Sequence, residues 1–251
     1  MPIPLLAPVI AVAVAATASL IGYVWGRDLW RWITGTPPPK LARGRARVLV
    51  AGPTGVGKTT LIRRVIGAEL GTVGEGAPKT PGIEWLGSAD FPVWFADSKG
   101  LEVVTAGLQV ADLRGKVAGW RDEDRPHLVW LCIQADSARV LGGAESDAET
   151  TRVLGTEGEL GRLLNELGIP SLVVLTQADL GGEELETMRA RAREVFPFAK
   201  DVIQVCAEPR THGGRVLIPR HGLRSLRAAT LALLPEELRR ATAKGWKEPD
   251  A

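Results

Sequence analysis

The sequence predicts an α/β domain with a mostly parallel sheet, preceded by one N-terminal helix that would span a membrane. Short continuous apolar runs alternate with stretches whose apolar residues recur at helical spacing, an order typical of parallel strands covered by helices on both faces. In addition, Met1 to Gly26 contains no charged residue. The chain is therefore divided into a transmembrane anchor (1–33), a linker (34–46), a globular domain (47–240) and a C-terminal tail (241–251).

The composition is that of a folded protein with little net charge. Of 251 residues, 31 are basic and 29 are acidic, which gives a formal net charge of +2. This balance gives no reason to expect a nucleic-acid partner. Hydrophobic residues make up 45% and charged residues 24% of the chain, which excludes wholesale disorder. The two cysteines, Cys132 and Cys206, cannot form a disulfide framework and lack the spacing of a zinc site.

The apolar N-terminal segment has the length and the flanks of a membrane span. As a helix, Leu5 to Trp25 would extend about 31 Å, enough for a hydrocarbon core of about 30 Å. Aromatic residues cluster at its C-terminal end, where an interfacial belt would lie: Tyr23, Trp25, Trp30 and Trp32. Basic residues lie only on that side, starting with Arg27, so the following domain is expected in the cytoplasm, anchored to the cell membrane by a single pass.

Two alternatives to the anchor follow from the same residues. A cleaved signal peptide would carry a basic stretch before its apolar core, which is missing here. A buried core helix rarely has so many uncharged residues in succession. In the linker, Pro37 to Pro39 favours an extended polyproline conformation. The arginines that follow would either contact anionic lipid or serve only to fix the topology.

Within the globular domain the predicted elements follow in order from Arg47. Each continuous apolar run predicts a strand that is buried on both faces; the runs are Val48–Val50, Val93–Phe95, Leu128–Ile133, Leu172–Leu175 and Val202–Val205. One extra early strand is expected near Ile83 to Leu86. Helices are predicted where apolar residues share one face, in the stretches beginning at Leu160, Leu185 and Leu223.

A glycine-rich loop after the first strand predicts a phosphate-binding site. It matches the pattern G-x-x-x-x-G-K-[ST] and reads Gly52, Pro53, Thr54, Gly55, Val56, Gly57, Lys58, Thr59, followed by Thr60 in the helix. The glycines let successive backbone N–H groups face phosphate oxygens, and the helix N-terminus adds partial positive charge. Lys58 is expected to contact the β- and γ-phosphates, and the hydroxyl of Thr59 is expected to bind Mg²⁺.

Three further motifs follow predicted strands and indicate which nucleotide is bound. Asp97 to Gly100 reads D-x-x-G, which would bring a carboxylate near Mg²⁺ and the Gly100 amide near the γ-phosphate. Thr176-Gln177-Ala178-Asp179 resembles the base-reading motif [NT]-K-x-D, whose aspartate accepts hydrogen bonds from guanine N1–H and the 2-amino group. Cys206-Ala207 would offer a backbone N–H to the guanine carbonyl. All of these motifs lie at the carboxyl ends of strands, where open α/β sheets bind ligands.

In this order the motifs resemble those of the translation-factor-related P-loop GTPases, in particular the Era/TrmE-like bacterial branch. The resemblance extends over about Arg47 to Arg240. Gly76 to Ile83 is similar to the first switch of that branch, which implies that Thr80 contacts Mg²⁺ and the γ-phosphate in the GTP state. Asp97 to Glu102, with the strand that begins at Leu128, is similar to a membrane-associated, dynamin-like-related bacterial subgroup.

The resemblance implies a P-loop NTPase three-layer fold, with GTP/GDP and Mg²⁺ as ligands. It implies catalytic roles for Lys58, Thr80 and Gly100, and Mg²⁺ contacts from Thr59, Thr80 and Asp97. The partners it implies are the membrane, a protein effector or activator, and a second copy of the G domain. We therefore expect a membrane-anchored GTPase that acts as a molecular switch.

Two residues depart from the family pattern. Gln177 replaces the lysine that normally lays its stem over the base and tethers the phosphate loop, so ATP binding or relaxed specificity is the alternative to GTP. Leu101 occupies the position where Ras-like enzymes place the glutamine that orients the attacking water, so slow hydrolysis is expected. Two other functions stay open: a nucleotide-binding scaffold that does not hydrolyse GTP, and a GTP-driven membrane-remodelling protein. The second would need a long helical stalk, which 251 residues do not provide.

Overall fold

The computed structural model describes residues 38–52, 55–67, 83–98, 125–135, 165–166, 168–180, 182 and 185–247. The predicted anchor, most of the first switch with Thr80, the pair Pro53–Thr54, and Gly100 with Leu101 lie outside these ranges. Across the described ranges, no helix combines the length and the apolar character needed to cross a bilayer. The predictions for the anchor and the switches therefore stay predictions.

A six-stranded sheet forms the centre of the domain, in the order β2-β3-β1-β4-β5-β6. All neighbouring strands are parallel except the β2–β3 pair, which confirms the predicted α/β architecture with a mostly parallel sheet. The strands are β1 (Ala46–Ala51), β2 (Ile83–Leu86), β3 (Val93–Ser98), β4 (Leu128–Gln134), β5 (Ser171–Thr176) and β6 (Asp201–Val205). Strand β2 is the extra early strand; it is antiparallel because only the short connection 87–92 joins it to β3.

Four α-helices are described, together with a short 3₁₀ helix and a small hairpin. The helices are α1 (Lys58–Ile66), α2 (Leu185–Val195), α3 (Leu223–Leu233) and α4 (Glu236–Gly245). The 3₁₀ helix is Lys40–Ala42, and the hairpin consists of β7 (Arg210–His212) and β8 (Arg215–Ile218). The predicted helix that begins at Leu160 lies mostly outside the described residues.

Helices cover both faces of the sheet, which gives three layers. On β1, Val48 and Val50 face a cluster that includes Leu61 of α1 and Leu226 of α3. The alternate residues of that strand face the opposite cluster, which includes Met188 of α2. This burial on both sides explains why the strands read as continuous apolar runs rather than as alternating ones.

The packed domain extends beyond the predicted boundary at residue 240. Helix α4 continues to Gly245, and the Trp246 side chain that follows it is only 2% exposed. Its ring lies 5.7 Å from that of Phe91 in an edge-to-face arrangement. Arg227 of α3 donates a hydrogen bond to the carbonyl of Trp246 at 2.8 Å, which fixes the end of α4 against α3.

Candidate nucleotide-binding site

The motifs singled out in the sequence converge on the carboxyl edge of the sheet. The chain leaves β1 at Gly52, leaves β5 at Gln177 and leaves β6 at Cys206, while Asp97 lies near the end of β3. Parallel pairing aligns these ends: Val50 pairs with Asp97 across β1–β3, and Thr176 pairs with Val205 across β5–β6. This edge is where an open parallel sheet forms a ligand crevice.

The phosphate loop begins at a position that accepts only glycine. Gly52 has a φ of 145°, and a Cβ atom there would lie 2.1 Å from the carbonyl oxygen of Cys132 on β4. The loop therefore passes in direct contact with the neighbouring strand. The Val56 side chain is 5% exposed and packs in the core with Leu61, so this residue offers only its backbone to a ligand.

Lys58 lies at the start of α1 and folds back over the loop. Its Nζ donates a hydrogen bond to the carbonyl oxygen of Gly52 at 2.8 Å, and the residue is 7% exposed. Gly57 precedes the helix with a φ of 90° and supplies no side-chain cap. The N-terminus of α1 therefore presents backbone N–H groups beside a buried ammonium, an arrangement that suits phosphate oxygens.

Thr59 and Asp97 supply a pair of oxygen ligands next to the lysine. The hydroxyl of Thr59 donates a hydrogen bond of 2.5 Å to Oδ2 of Asp97, whose side chain is 1% exposed. Hydroxyl and carboxylate oxygens are ligands that Mg²⁺ prefers, and Mg²⁺ usually completes its shell with waters and phosphates. Within the described ranges no group of three His, Cys, Asp or Glu side chains could hold a metal. The hydroxyl of Thr59 and the carboxylate of Asp97 are two oxygen ligands that fit Mg²⁺ whose other ligands come from a nucleotide and water.

Asp179 and Cys206 meet at the opposite end of the edge, where the base is expected. The Cys206 Sγ atom lies 3.6 Å from Oδ1 of Asp179 and 2.9 Å from the carbonyl oxygen of Glu208. Burial and the negative charge of Asp179 raise the pKa of the Cys206 thiol to about 11. The thiol therefore stays protonated and can donate toward the carboxylate at neutral pH.

Gln177 connects the chain that leaves β5 with the glycine-rich loop that follows β1. Its Nε2 donates a hydrogen bond of 3.2 Å to the carbonyl oxygen of Gly55 in the phosphate loop. Its φ of 52° lies in the left-handed region, which among the described residues no other non-glycine adopts. The amide of Gln177 thus contacts the glycine-rich loop although its stem is shorter than that of the lysine in the family pattern.

A second connection was not foreseen from the sequence. Arg64 of α1 and Glu208, which lies two residues after Cys206, form a bidentate ion pair: Nε donates to Oε1 at 3.2 Å, and Nη2 donates to Oε2. The partners are 144 positions apart in the chain, and no local pattern relates them. The pair joins the helix of the phosphate loop to the loop after β6.

Some predicted site residues have side chains that serve the fold instead. The hydroxyl of Thr176 donates to the carbonyl of Ile133 at 3.1 Å, inside the sheet, so its proton is used within the fold. Thr60 is exposed on α1, and Ala207 packs partly against the core. Outside the predicted site, His127 has a structural role: its Nδ1 accepts the backbone N–H of Arg47 at 2.9 Å.

Comparisons with known proteins give low similarity. No protein-family model and no curated protein matches the chain. Among solved structures, a GTP-binding protein from Sulfolobus solfataricus in complex with GDP has a TM-score of 0.44 at 17% identity, covering 75% of this chain and 52% of that one. An Era variant from Aquifex aeolicus bound to GDP and AlF4⁻ has a TM-score of 0.42 at 16% identity, covering 76% and 57%. A probable GTP-binding protein, engB, has a TM-score of 0.42 at 16% identity, covering 64% and 89%.

Two of these structures are matched over little more than half of their own length. TM-scores below 0.5 at such identities do not assign the chain to a family. The assignment of function therefore depends on the geometry of the carboxyl edge.

Proposed function

We propose that this chain binds GTP and Mg²⁺ at the carboxyl edge of its sheet and hydrolyses GTP slowly to GDP and phosphate, as a molecular switch. The observation that carries the proposal is the arrangement of two half-sites along one edge. Lys58 and the Thr59–Asp97 pair lie at one end, and the Asp179–Cys206 pair lies at the other. Gln177 joins the two ends through Gly55.

At the phosphate end, each residue has a separate task. The Lys58 ammonium would exchange its contact with the Gly52 carbonyl for the β- and γ-phosphates, while the N-terminus of α1 binds phosphate oxygens through its backbone. Thr59 and Asp97 would hold Mg²⁺, which neutralises negative charge on the β- and γ-phosphates when bound.

At the base end, Asp179 would select guanine. A carboxylate accepts two hydrogen bonds from guanine, at N1–H and at the 2-amino group, whereas adenine lacks this pair of donors. The Cys206 thiol faces Oδ1 of Asp179, which favours one orientation of the carboxylate. The contact between Gln177 and Gly55 keeps the base motif attached to the phosphate loop without the lysine of the family pattern.

Slow turnover is proposed because Leu101 cannot orient a water molecule. Thr80 and Gly100 are the proposed contacts to the γ-phosphate. A protein activator, or a second G domain, would have to supply the missing group. Without such help we expect a rate on the order of 10⁻⁴ to 10⁻² s⁻¹, as for unassisted GTPases.

The experiment that tests this function measures nucleotide binding and phosphate release by the purified protein, with GTP and ATP compared. Lys58→Ala should abolish binding of the triphosphate, because it removes the charge that offsets the phosphate oxygens. Arg63→Ala is a matched control, since Arg63 is an exposed basic residue of the same helix. Tight GTP binding without turnover at any protein concentration would favour the non-hydrolysing scaffold. If Lys58→Ala and Arg63→Ala reduced GTP binding equally, the assigned role of Lys58 would be refuted.

We also propose that the apolar N-terminal segment anchors the protein in the cell membrane, with the G domain in the cytoplasm. The support is the absence of charge from Met1 to Gly26 and the basic residues that follow. The protein should stay with membranes through high-salt and carbonate washes, and removal of residues 1–33 should release it. Release of the intact chain by salt alone would contradict a membrane span.

A further inference from the structure

The hairpin β7–β8 stands outside the main sheet. Its two strands pair only with each other, and its side chains are exposed except for a half-buried Ile218. Gly213 and Gly214 form the turn with φ values of 55° and 78°, as a tight two-residue hairpin requires. Its base is fixed to the domain, because Cys206 and His221 exchange backbone hydrogen bonds at 3.1 and 3.2 Å.

Two exposed aliphatic residues lie side by side on β8. Val216 is 53% exposed and Leu217 is 56% exposed, more than the other exposed large hydrophobics of the described ranges, Leu41 and Leu180. The register of the hairpin shifts between Arg210 and Thr211, so β8 has one extra residue at Val216–Leu217 and the regular alternation of its side chains is interrupted there. Such exposure brings no stability to the isolated domain, since neither side chain is packed.

The charged residues of the hairpin and of the chain that follows it up to position 235 are all basic. Arg210, Arg215 and Arg220 belong to the hairpin and its flank, and the chain contains no Asp or Glu from position 209 to position 235. The nearest acidic residue before this stretch is Glu208, whose carboxylate is paired with Arg64. The hairpin is therefore a basic surface with aliphatic side chains between its arginines.

We propose that this hairpin docks on an anionic lipid surface. Aliphatic side chains that enter the headgroup region, combined with arginines that contact lipid phosphates, are the chemistry of interfacial membrane contacts. The segment 209–222 contains no Phe, Tyr or Trp, and its only ring side chains for base stacking are His212 and His221, which disfavours single-stranded nucleic acid. An acidic protein surface would satisfy the arginines but would give the two exposed aliphatic groups no apolar environment.

The proposal goes beyond the nucleotide site and does not depend on it. It also differs from the N-terminal anchor, which would hold the chain on any bilayer, because the hairpin requires negatively charged lipid. The hairpin starts directly after the base contact at Cys206, so lipid bound there would lie beside the nucleotide edge of the domain.

The experiment uses the full chain, reconstituted into vesicles of phosphatidylcholine alone or mixed with phosphatidylglycerol. Leu217→Cys is labelled with an environment-sensitive fluorophore, and Cys132 and Cys206 are buried and should not compete for the label. On the anionic vesicles the label should shift to shorter wavelength and become protected from an aqueous quencher. The same label at Glu237→Cys on α4, also an exposed position, should not respond.

Charge variants test the arginines. Replacement of Arg210, Arg215 and Arg220 by Gln should abolish the shift, with the docked-to-free ratio falling about fivefold per arginine. The matched control removes three arginines from α2, Arg189, Arg191 and Arg193, and should leave the shift intact. The proposal is overturned if the fluorescence shift is equally large on neutral vesicles, or if both triple variants lose the shift to the same extent. It is also overturned if the shift appears without lipid and grows with protein concentration, which would indicate contact with a second copy of the chain.

Discussion

The contact between Gln177 and the phosphate loop can be tested by a pair of substitutions with different effects on stability. Gln177→Ala removes the hydrogen bond to Gly55 but keeps a side chain in the left-handed region. Gln177→Gly removes the same bond and also the backbone strain. One such bond is worth about 1 kcal/mol, and a left-handed conformation costs a non-glycine residue about 1 kcal/mol.

The Ala variant should therefore lose about 1 kcal/mol of unfolding free energy, while the Gly variant should be close to the parent protein. Both should bind GTP and GDP about fivefold more weakly, because the phosphate loop loses its tether in each case. Gln177→Lys should tighten GTP binding, since the lysine keeps a donor and adds a stem over the base.

Urea unfolding measures the stability difference, and titration with a fluorescent GDP analogue measures the affinity. If Gln177→Ala and Gln177→Gly both retain the parent affinity, the amide does not hold the phosphate loop and the reasoning is refuted. If the two variants are equally destabilised, the left-handed backbone at this position carries no strain.

Three further predictions concern the metal ligands, the phosphate loop and pH. Thr59→Ala should weaken Mg²⁺-dependent GTP binding more than GDP binding, which calorimetric titration with and without Mg²⁺ would measure. Gly52→Ala should lower the unfolding free energy by about 2 kcal/mol more than Gly67→Ala. Both glycines have positive φ, but only at position 52 would the new Cβ atom meet a backbone carbonyl oxygen, that of Cys132, at 2.1 Å. Equal urea midpoints would contradict this clash. Burial and the Arg47 charge lower the pKa of His127 from 6.5 to about 4. The unfolded chain therefore takes up this proton first as pH falls, so stability should decrease between pH 6.5 and 4, and less so in His127→Asn.

The fold could be predicted from the sequence because a strand that is buried on both faces of the sheet reads as a continuous apolar run. The runs at Val48 and Leu172 are continuous for this reason, and the glycine-rich loop follows β1 at the expected place. The sequence analysis did not predict the hairpin β7–β8, because its residues are exposed and show no regular spacing of apolar side chains. The Gly213–Gly214 pair is nevertheless a recognisable turn signal.

The sequence predicts those site residues whose backbone position is fixed by a motif. It does not predict the side-chain contacts between residues that lie far apart in the chain. The positions of Lys58 and Asp179 follow from their strands, which end at one edge. The hydrogen bond between Gln177 and Gly55 joins residues 122 positions apart, and the ion pair between Arg64 and Glu208 joins residues 144 positions apart. Such contacts depend on how helices and loops pack in three dimensions, which residue spacing does not encode.

The measurement that most directly tests the central claim compares the affinities of GTP, ATP and xanthosine triphosphate for the parent protein and for Asp179→Asn. The parent should bind GTP in strong preference to the other two, because only guanine offers N1–H and an amine to the carboxylate. The variant should lose GTP affinity and gain relative affinity for xanthosine triphosphate, since the new amide can donate to the C2 carbonyl of xanthine. Equal binding of GTP and ATP by the parent, or an unchanged preference in the variant, would contradict a guanine site at Asp179.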